Sequence, residues 1–317
     1  MIRHPSQLDP NSPRAVAIGV FDGVHRGHRV ILDALVAEAR SLGGTPVVLT
    51  FEPHPESVVR PGEAPAVLTP LPEKAALMAD RGVECLLALT FDRELARMPA
   101  ETFAVQLVGR QIAARVVLVG FNFRFGGGGA GDVELLEQWG KELGYRVRVV
   151  PPVREGDTVI SSSGVREALS AGRLDEVGRM LGRNYTLVGR VVPGDGRGRT
   201  LGFPTANLEL WDNAALPGPG VYVVDCRVDG AARRGVLNVG RRPTFGGGPV
   251  KVEAHLLDYE GSLYGQRIRV ELLARLRGEE AFPGAEPLRS QIRADAESAR
   301  AWRPAGAEVC QGGDGGV

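Results

Sequence analysis

The feature that most limits the fold is a change of period near residue 184. Upstream of it, apolar runs at 15–20, 46–51, 85–90, 116–120 and 147–150 alternate with helix-like stretches at 30–40, 73–81, 102–112 and 133–143. Strands alternating with helices predict βαβ units and a parallel sheet covered on both faces. Downstream, the helical spacing vanishes and β-rich runs at 185–192, 221–228, 234–239, 250–257 and 267–273 take over. Asp229-Gly230 between two of them is a hairpin turn signal. Such runs predict a small antiparallel barrel, closed by a helix over 287–302. The 317 residues therefore divide into an α/β domain at 1–183, an all-β domain at 184–303, and a glycine-rich remainder at 304–317 expected as a disordered tail.

Bulk chemistry narrows the partners. Basic and acidic residues balance at 38 each, so no field draws in polyanions and nucleic acid is not expected. The three cysteines, Cys85, Cys226 and Cys310, form no C-x-x-C pair, which argues against a disulfide framework or a thiolate metal site. No apolar signal core opens the chain and no stretch is long enough to span a bilayer, so a soluble cytoplasmic protein without a membrane partner is expected. A homo-oligomer is left open.

The first chemical signal is the run from Gly19 to His28, which contains Phe21, Asp22, Gly23, His25 and Gly27. It reads as strand, glycine-rich turn and helix start, an order that aims backbone N–H groups and a positive helix end at an anion such as phosphate. His25 and His28 add donors where a transferred phosphoryl group would gather charge. In parallel α/β sheets, ligands bind beyond the carboxyl ends of the strands, and three further loops fall there. One carries Phe51 and His54, one Phe121, Asn122 and Phe123 followed by four glycines, and one Ser162, Ser163 and Arg166. Hydroxyls, free N–H groups at a helix start and a guanidinium suit a second phosphate.

In the β-rich half, Gly194, Gly196, Gly198 and Gly202 punctuate a loop that can wrap phosphates with its backbone, although it lacks the G-x-x-x-x-G-K-[ST] pattern. Thr205 and Asn207, alternate residues of an extended segment, point the same way and offer oxygens to a hard cation. In 250–256, apolar and polar residues alternate, which puts Glu253 and His255 together opposite the core. Glu253 there suits a general base that takes the proton of a hydroxyl attacking a γ-phosphate.

Two resemblances cover nearly the whole chain. Gly-x-Phe-Asp-Gly-x-His-x-Gly-His with Ser-Ser-Ser-x-x-Arg resembles the nucleotidylyltransferase superfamily, in particular the FAD synthetase module of bacterial bifunctional riboflavin kinase/FAD synthetases. Pro-Thr-Ala-Asn at 204–207, Val-Glu-Ala-His at 252–255 and Leu-Tyr-Gly at 263–265 resemble riboflavin kinase. The resemblance implies a Rossmann-like domain followed by a Greek-key barrel with a C-terminal helix. It implies ATP as co-substrate, Mg²⁺, and riboflavin, FMN and FAD as ligands. The catalytic set it implies is Glu253, His25 and His28, with Thr205 and Asn207 on the metal and Phe51, His54, Phe121 and Phe123 toward the substrate. Two alternatives stay open: a nucleotidylyltransferase for another phosphate ester with a substrate-selecting barrel, and a non-catalytic flavin-binding regulator.

Overall fold

A computed structural model describes residues 1–194, 196–241 and 250–304. The chain forms two compact units. One comprises Met1–Glu167, Arg179–Gly182 and Asn213–Ala215; the other comprises Ala168–Gly178, Arg183–Asp212 and the described part of the chain from Leu216 onward. The tail expected from 304 lies outside the described residues from 305 on. Among the described residues, no helix is long and apolar enough to cross a membrane.

The α/β unit follows the expected alternation. Its elements are β1 (Arg14–Ile18), α1 (Arg26–Ser41), β2 (Thr45–Glu52), α2 (Pro55–Val59), α3 (Leu71–Ala79), β3 (Cys85–Thr90), α4 (Arg93–Arg97) and α5 (Ala100–Thr102). There follow a π-helix at Phe103–Gln111, β4 (Ala114–Gly120), α6 (Val133–Leu143), β5 (Arg146–Val150), the small hairpin β6 (Arg154–Glu155) and β7 (Thr158–Val159), and the start of α7 (Ser162–Ser170), whose last residues, with most of α8 (Leu174–Leu181), fall in the other unit. Strands β1 to β5 make one sheet in the order β3-β2-β1-β4-β5, with every pair parallel. Successive residues face opposite ways. Ala15, Ala17, Val48, Ala88 and Leu118 pack with Leu32 and Leu35 of α1, whereas Val16, Ile18, Leu49 and Val119 pack with Phe103, Leu107 and Leu136 on the other face. Both faces are apolar because both are covered. The order reverses between β1 and β4, and that switch opens a crevice at their carboxyl ends.

The stretch expected as a helix at 102–112 is wound as a π-helix, with Phe103, Ala104, Leu107 and Val108 still buried. Its Gly109 lies close beneath Leu143 of α6, where a Cβ would meet Leu143 Cδ1 at 2.7 Å. At α6, Asp132 accepts from the N–H of Leu135 as the N-cap, and Gly144 in the left-handed region ends the helix.

The second unit is a closed six-stranded barrel built from β8 (Thr186–Val192), β9 (Ala206–Leu210), β10 (Gly220–Val228), β11 (Ala231–Arg241), β12 (Val250–Leu256) and β13 (Arg267–Arg277). The order β10-β11-β12-β9-β8-β13 puts β9 beside β12, a Greek-key arrangement. The short helix α9 (Arg197–Thr200) interrupts the glycine loop, and α10 (Ala285–Ala301) covers the outside of the barrel through Ala296, Ala299 and Trp302 against Val223, Val236 and Ala274. Asp229 (φ 51°) and Gly230 (φ 80°) form the β10–β11 turn, as both positive angles of a two-residue hairpin require. Strand β9 is an addition to the runs read from sequence; five residues with two outward polar ones carry too little apolar signal.

Candidate active sites

In the α/β unit a cavity of about 890 Å³ opens at the switch point, lined among others by Gly19, His25, His28, Asn122, Ser163 and Arg166. Phe21, Asp22, Gly27, Phe51, His54, Phe121, Phe123 and Ser162 also border it. Gly23 does not; it sits underneath, its Cα facing Leu68 and Leu181. The turn is bent hard. Phe21 (φ 53°), Gly23 (φ 83°) and Val24 (φ 42°) are all left-handed, and a β-branched residue there is a strained position of the kind found where structure serves a site.

Asp22 is the hub that holds the turn. Only 3% exposed, it accepts from the N–H groups of Leu68 (3.0 Å) and Thr69 (3.0 Å) and pairs with Arg166 Nη2 at 2.5 Å. Ser162 Oγ donates to the Asp22 carbonyl at 2.8 Å, and Arg166 Nε donates to the Ala66 carbonyl at 2.6 Å. Asp22 and Arg166 therefore shape the crevice wall by binding each other and the 66–69 backbone. Lys74, which sequence reading passed over, is 4% exposed and donates from Nζ to the Val20 carbonyl at 2.8 Å. Burial lowers its pKa, while Asp22 and Glu52 oppose that shift. Its only sequence signal is a helix position otherwise filled by buried residues, Leu71 and Met78.

The paired imidazoles stand at the start of α1. His25 caps the helix, its Nδ1 accepting from the N–H of His28 at 3.3 Å. In the neutral ring this leaves Nε2 carrying the proton as a donor. The His28 ring stacks on His25 at 3.6 Å between centroids, with the Phe21 edge against it at 5.1 Å. Burial, then the His25 and Lys74 charges, hold the His28 pKa well below its ordinary value, so the ring is neutral at pH 7. Gly27 gives room here: a Cβ would meet His25 Cε1 at 3.1 Å.

The other loops differ in what they offer. Phe121 is 49% exposed, a free aromatic face beside exposed Asn122. Phe123 stacks on Phe125 at 5.5 Å and packs against the core, and Phe51 meets Phe91 edge-on at 5.6 Å. His54 caps α2, accepting from the N–H of Glu56. Ser163 is exposed at the start of α7. Gly126 is pressed onto the next layer, where a Cβ would lie 2.6 Å from Ala100 Cα.

In the barrel, Val252, Ala254 and Leu256 of β12 are buried, which turns Glu253 and His255 to the other face. Glu253 pairs directly with Asn207 of β9 and with Asn238 of β11, so an amide, a carboxylate and an amide form one cross-strand row. The glycine loop closes on this row. The Asn207 amide occupies the place where a Gly194 Cβ would stand, and a Gly198 Cβ would collide with the Phe203 carbonyl and meet Thr205 Oγ1 at 3.1 Å. Gly196 (φ 71°) and Gly202 (φ 85°) supply the loop's left-handed corners.

Fold and sites together define a class: a Rossmann-like nucleotide transferase unit followed by a phosphotransferase barrel. The FAD synthetase family model matches residues 8–164 and the riboflavin kinase family model matches residues 181–303. The bifunctional riboflavin kinase/FMN adenylyltransferase of Escherichia coli K12 is 40% identical over 300 residues, covering 94% of this chain and 95% of its own. Those of Pseudomonas fluorescens and Bacillus subtilis are 38% and 34% identical, covering 95% and 94% of this chain and 97% and 96% of theirs. A crystal structure titled as a macrolide-efflux protein from Streptococcus pneumoniae aligns with a TM-score of 0.84 at 32% identity, covering 95% of this chain and 98% of that one. The chain belongs to the bifunctional riboflavin kinase/FMN adenylyltransferase family.

Proposed function

We propose that the chain makes flavin cofactors in two ATP-dependent steps, with residues 184–303 as the kinase and 1–183 as the adenylyltransferase. In the first step the 5′-hydroxyl of riboflavin attacks the γ-phosphorus of ATP. Glu253 takes the hydroxyl proton, the bond to the β-phosphate oxygen breaks, and FMN and ADP result. The observation that carries this reading is the register of Glu253 against Asn207, which sets a base beside an amide wrapped by a glycine loop. Gly194, Gly196, Gly198 and Gly202 let that loop lie close over the phosphates. Thr205 and Asn207 fit Mg²⁺: they are neutral hard oxygen donors, and the Asn207 amide lies in a cradle that any side chain at 194 would fill. When bound, the ion offsets charge on the ATP phosphates.

In the second step a phosphate oxygen of FMN attacks the α-phosphorus of a second ATP, and pyrophosphate leaves as FAD forms. His25, through Nε2–H, and the neutral His28 donate hydrogen bonds to the oxygens where charge develops. The N-terminal end of α1, Gly19, Gly27 and Ser163 receive the remaining phosphate oxygens, while Asp22, Gly23, Ser162 and Arg166 fix their frame. Phe121 and Asn122 give a flavin or adenine ring a stacking face and an amide, with Phe51, His54 and Phe123 forming the wall behind. A cytoplasmic location, with neither nucleic acid nor membrane as partner, accords with the balanced charge.

Incubation with ATP, Mg²⁺ and riboflavin, followed by chromatography, is expected to show FMN and then FAD. Glu253→Gln is expected to stop FMN formation and spare FMN-to-FAD conversion, whereas His28→Ala is expected to let FMN accumulate. Unchanged rates in both variants reject these assignments.

A further inference from the structure

His255 carries no assigned role, yet it is fastened to the segment that the kinase reading depends on. Strand β9 begins only at Ala206, so Thr205 stands just before the ladder. The Phe203 N–H donates to the Gly198 carbonyl at 2.8 Å, which closes the loop on itself rather than onto the barrel. From β12, the His255 Nδ1 lies 2.8 Å from the Pro204 carbonyl oxygen. A carbonyl only accepts, so Nδ1 holds the proton and donates. The Phe203 ring stands edge-on to the same imidazole at 5.5 Å. The register that pairs Glu253 with Asn207 and Ala254 with Ala206 brings His255 alongside the start of the segment.

We propose that His255 is a positioning residue for phosphoryl transfer, its Nδ1–H strapping the Pro204 carbonyl so that Thr205 and Asn207 present their oxygens to the metal–nucleotide beside Glu253. The proposal deepens the kinase reading and rests on it. In this role the imidazole acts through the Pro204 carbonyl and not on ATP or flavin directly. Its effect falls on how tightly the metal–nucleotide is held, and the proton transfer to Glu253 is left intact.

Side-chain geometry gives a sharp test. The amide nitrogen of asparagine reaches the position of Nδ1, and that of glutamine reaches the position of Nε2. In the full chain, His255→Gln and His255→Leu are expected to raise the KM for ATP about fivefold to tenfold, the loss of roughly one hydrogen bond, with kcat changed less than about threefold. His255→Asn is expected to stay near the parent. Melting of the barrel followed by circular dichroism reports folding, and either of the two disrupting variants suffices if the other fails to fold.

Hydrogen exchange of the 198–207 peptide, which needs no turnover, is expected to quicken in His255→Gln and not in His255→Asn. Equal exchange, a parent-like KM in His255→Gln, or an Asn variant as impaired as the Gln variant overturns the proposal. Glu253→Gln run in parallel separates the two failures. If it still forms FMN, the kinase reading falls; if it does not while His255→Gln is normal, only the strap falls.

Discussion

The two units build their sites from opposite materials. In the α/β unit the working turn is tied down by buried polar and charged side chains: Asp22, His25 and Lys74 are each no more than 5% exposed, and Asp22 holds Arg166 and two backbone amides from a segment 46 and 47 residues away. In the barrel, Asn207, Glu253 and Asn238 sit half-buried on the outward face, aligned by ladder register and by side chains that glycine leaves out. Ionic interiors are costly to disturb, because removing one partner strands the other away from water. An outward row can lose a functional group without that penalty. Chemistry and stability are therefore entangled in the first unit and separable in the second.

The strongest challenge to that contrast is Glu253→Gln. FMN formation is expected to fall by about 10² to 10⁴, the usual weight of a general base, with an unchanged melting temperature. A matching loss of stability, seen by calorimetry, breaks the contrast. Next comes Asp22→Ala, which leaves Arg166 and the N–H groups of Leu68 and Thr69 without their acceptor at a cost of about 3–5 kcal/mol. It is expected to lower the unfolding transition of the α/β unit and abolish FAD synthesis together, while FMN formation continues. Gly198→Ala is a smaller change. Its methyl group meets the Phe203 carbonyl, and crowding of about 1–3 kcal/mol is expected to appear as weaker ATP binding in kinase assays, with FAD synthesis from FMN unaltered.

The smallest effect sharpens the interior side of the comparison. Burial, His25 and Lys74 all push the His28 pKa down, so the unfolded chain takes up the proton more readily than the folded one. His28's contribution is full above its unfolded pKa of about 6.5 and is lost as pH falls from there toward the folded value. Melting followed by circular dichroism from about pH 7.5 to about pH 5.5 is expected to show a decline in the α/β transition that is shallower in His28→Ala. Parallel declines in the two proteins discount the buried ring as its source.

Much of this was legible before any coordinates. The five parallel strands, the change of period near 184 and the Asp229-Gly230 turn are local signals, and local signals survive folding. The imidazole pair, Glu253 and Asn207 stood out as candidates because their residue types and spacing suit phosphate chemistry. What escaped was non-local. Nothing near Asp22 announces that it faces Leu68 and Thr69, and a lysine in a helix reads as solvated, so Lys74 stayed hidden until its partner, the Val20 carbonyl, was in place. The short helices α2, α4 and α8 escaped for a different reason: five to eight residues give periodicity too few turns to register.

The pairing of Glu253 with Asn207 joins strands that lie 46 residues apart in the numbering and alternate in direction. Since neighbours along a strand point to opposite sides, inserting or deleting a single residue within β12 ahead of Glu253 swings the carboxylate indoors and throws a valine or alanine out in its stead. A change of chain length that keeps this row intact must therefore fall in a loop of the barrel, and any engineered graft of the site must carry both strands in step.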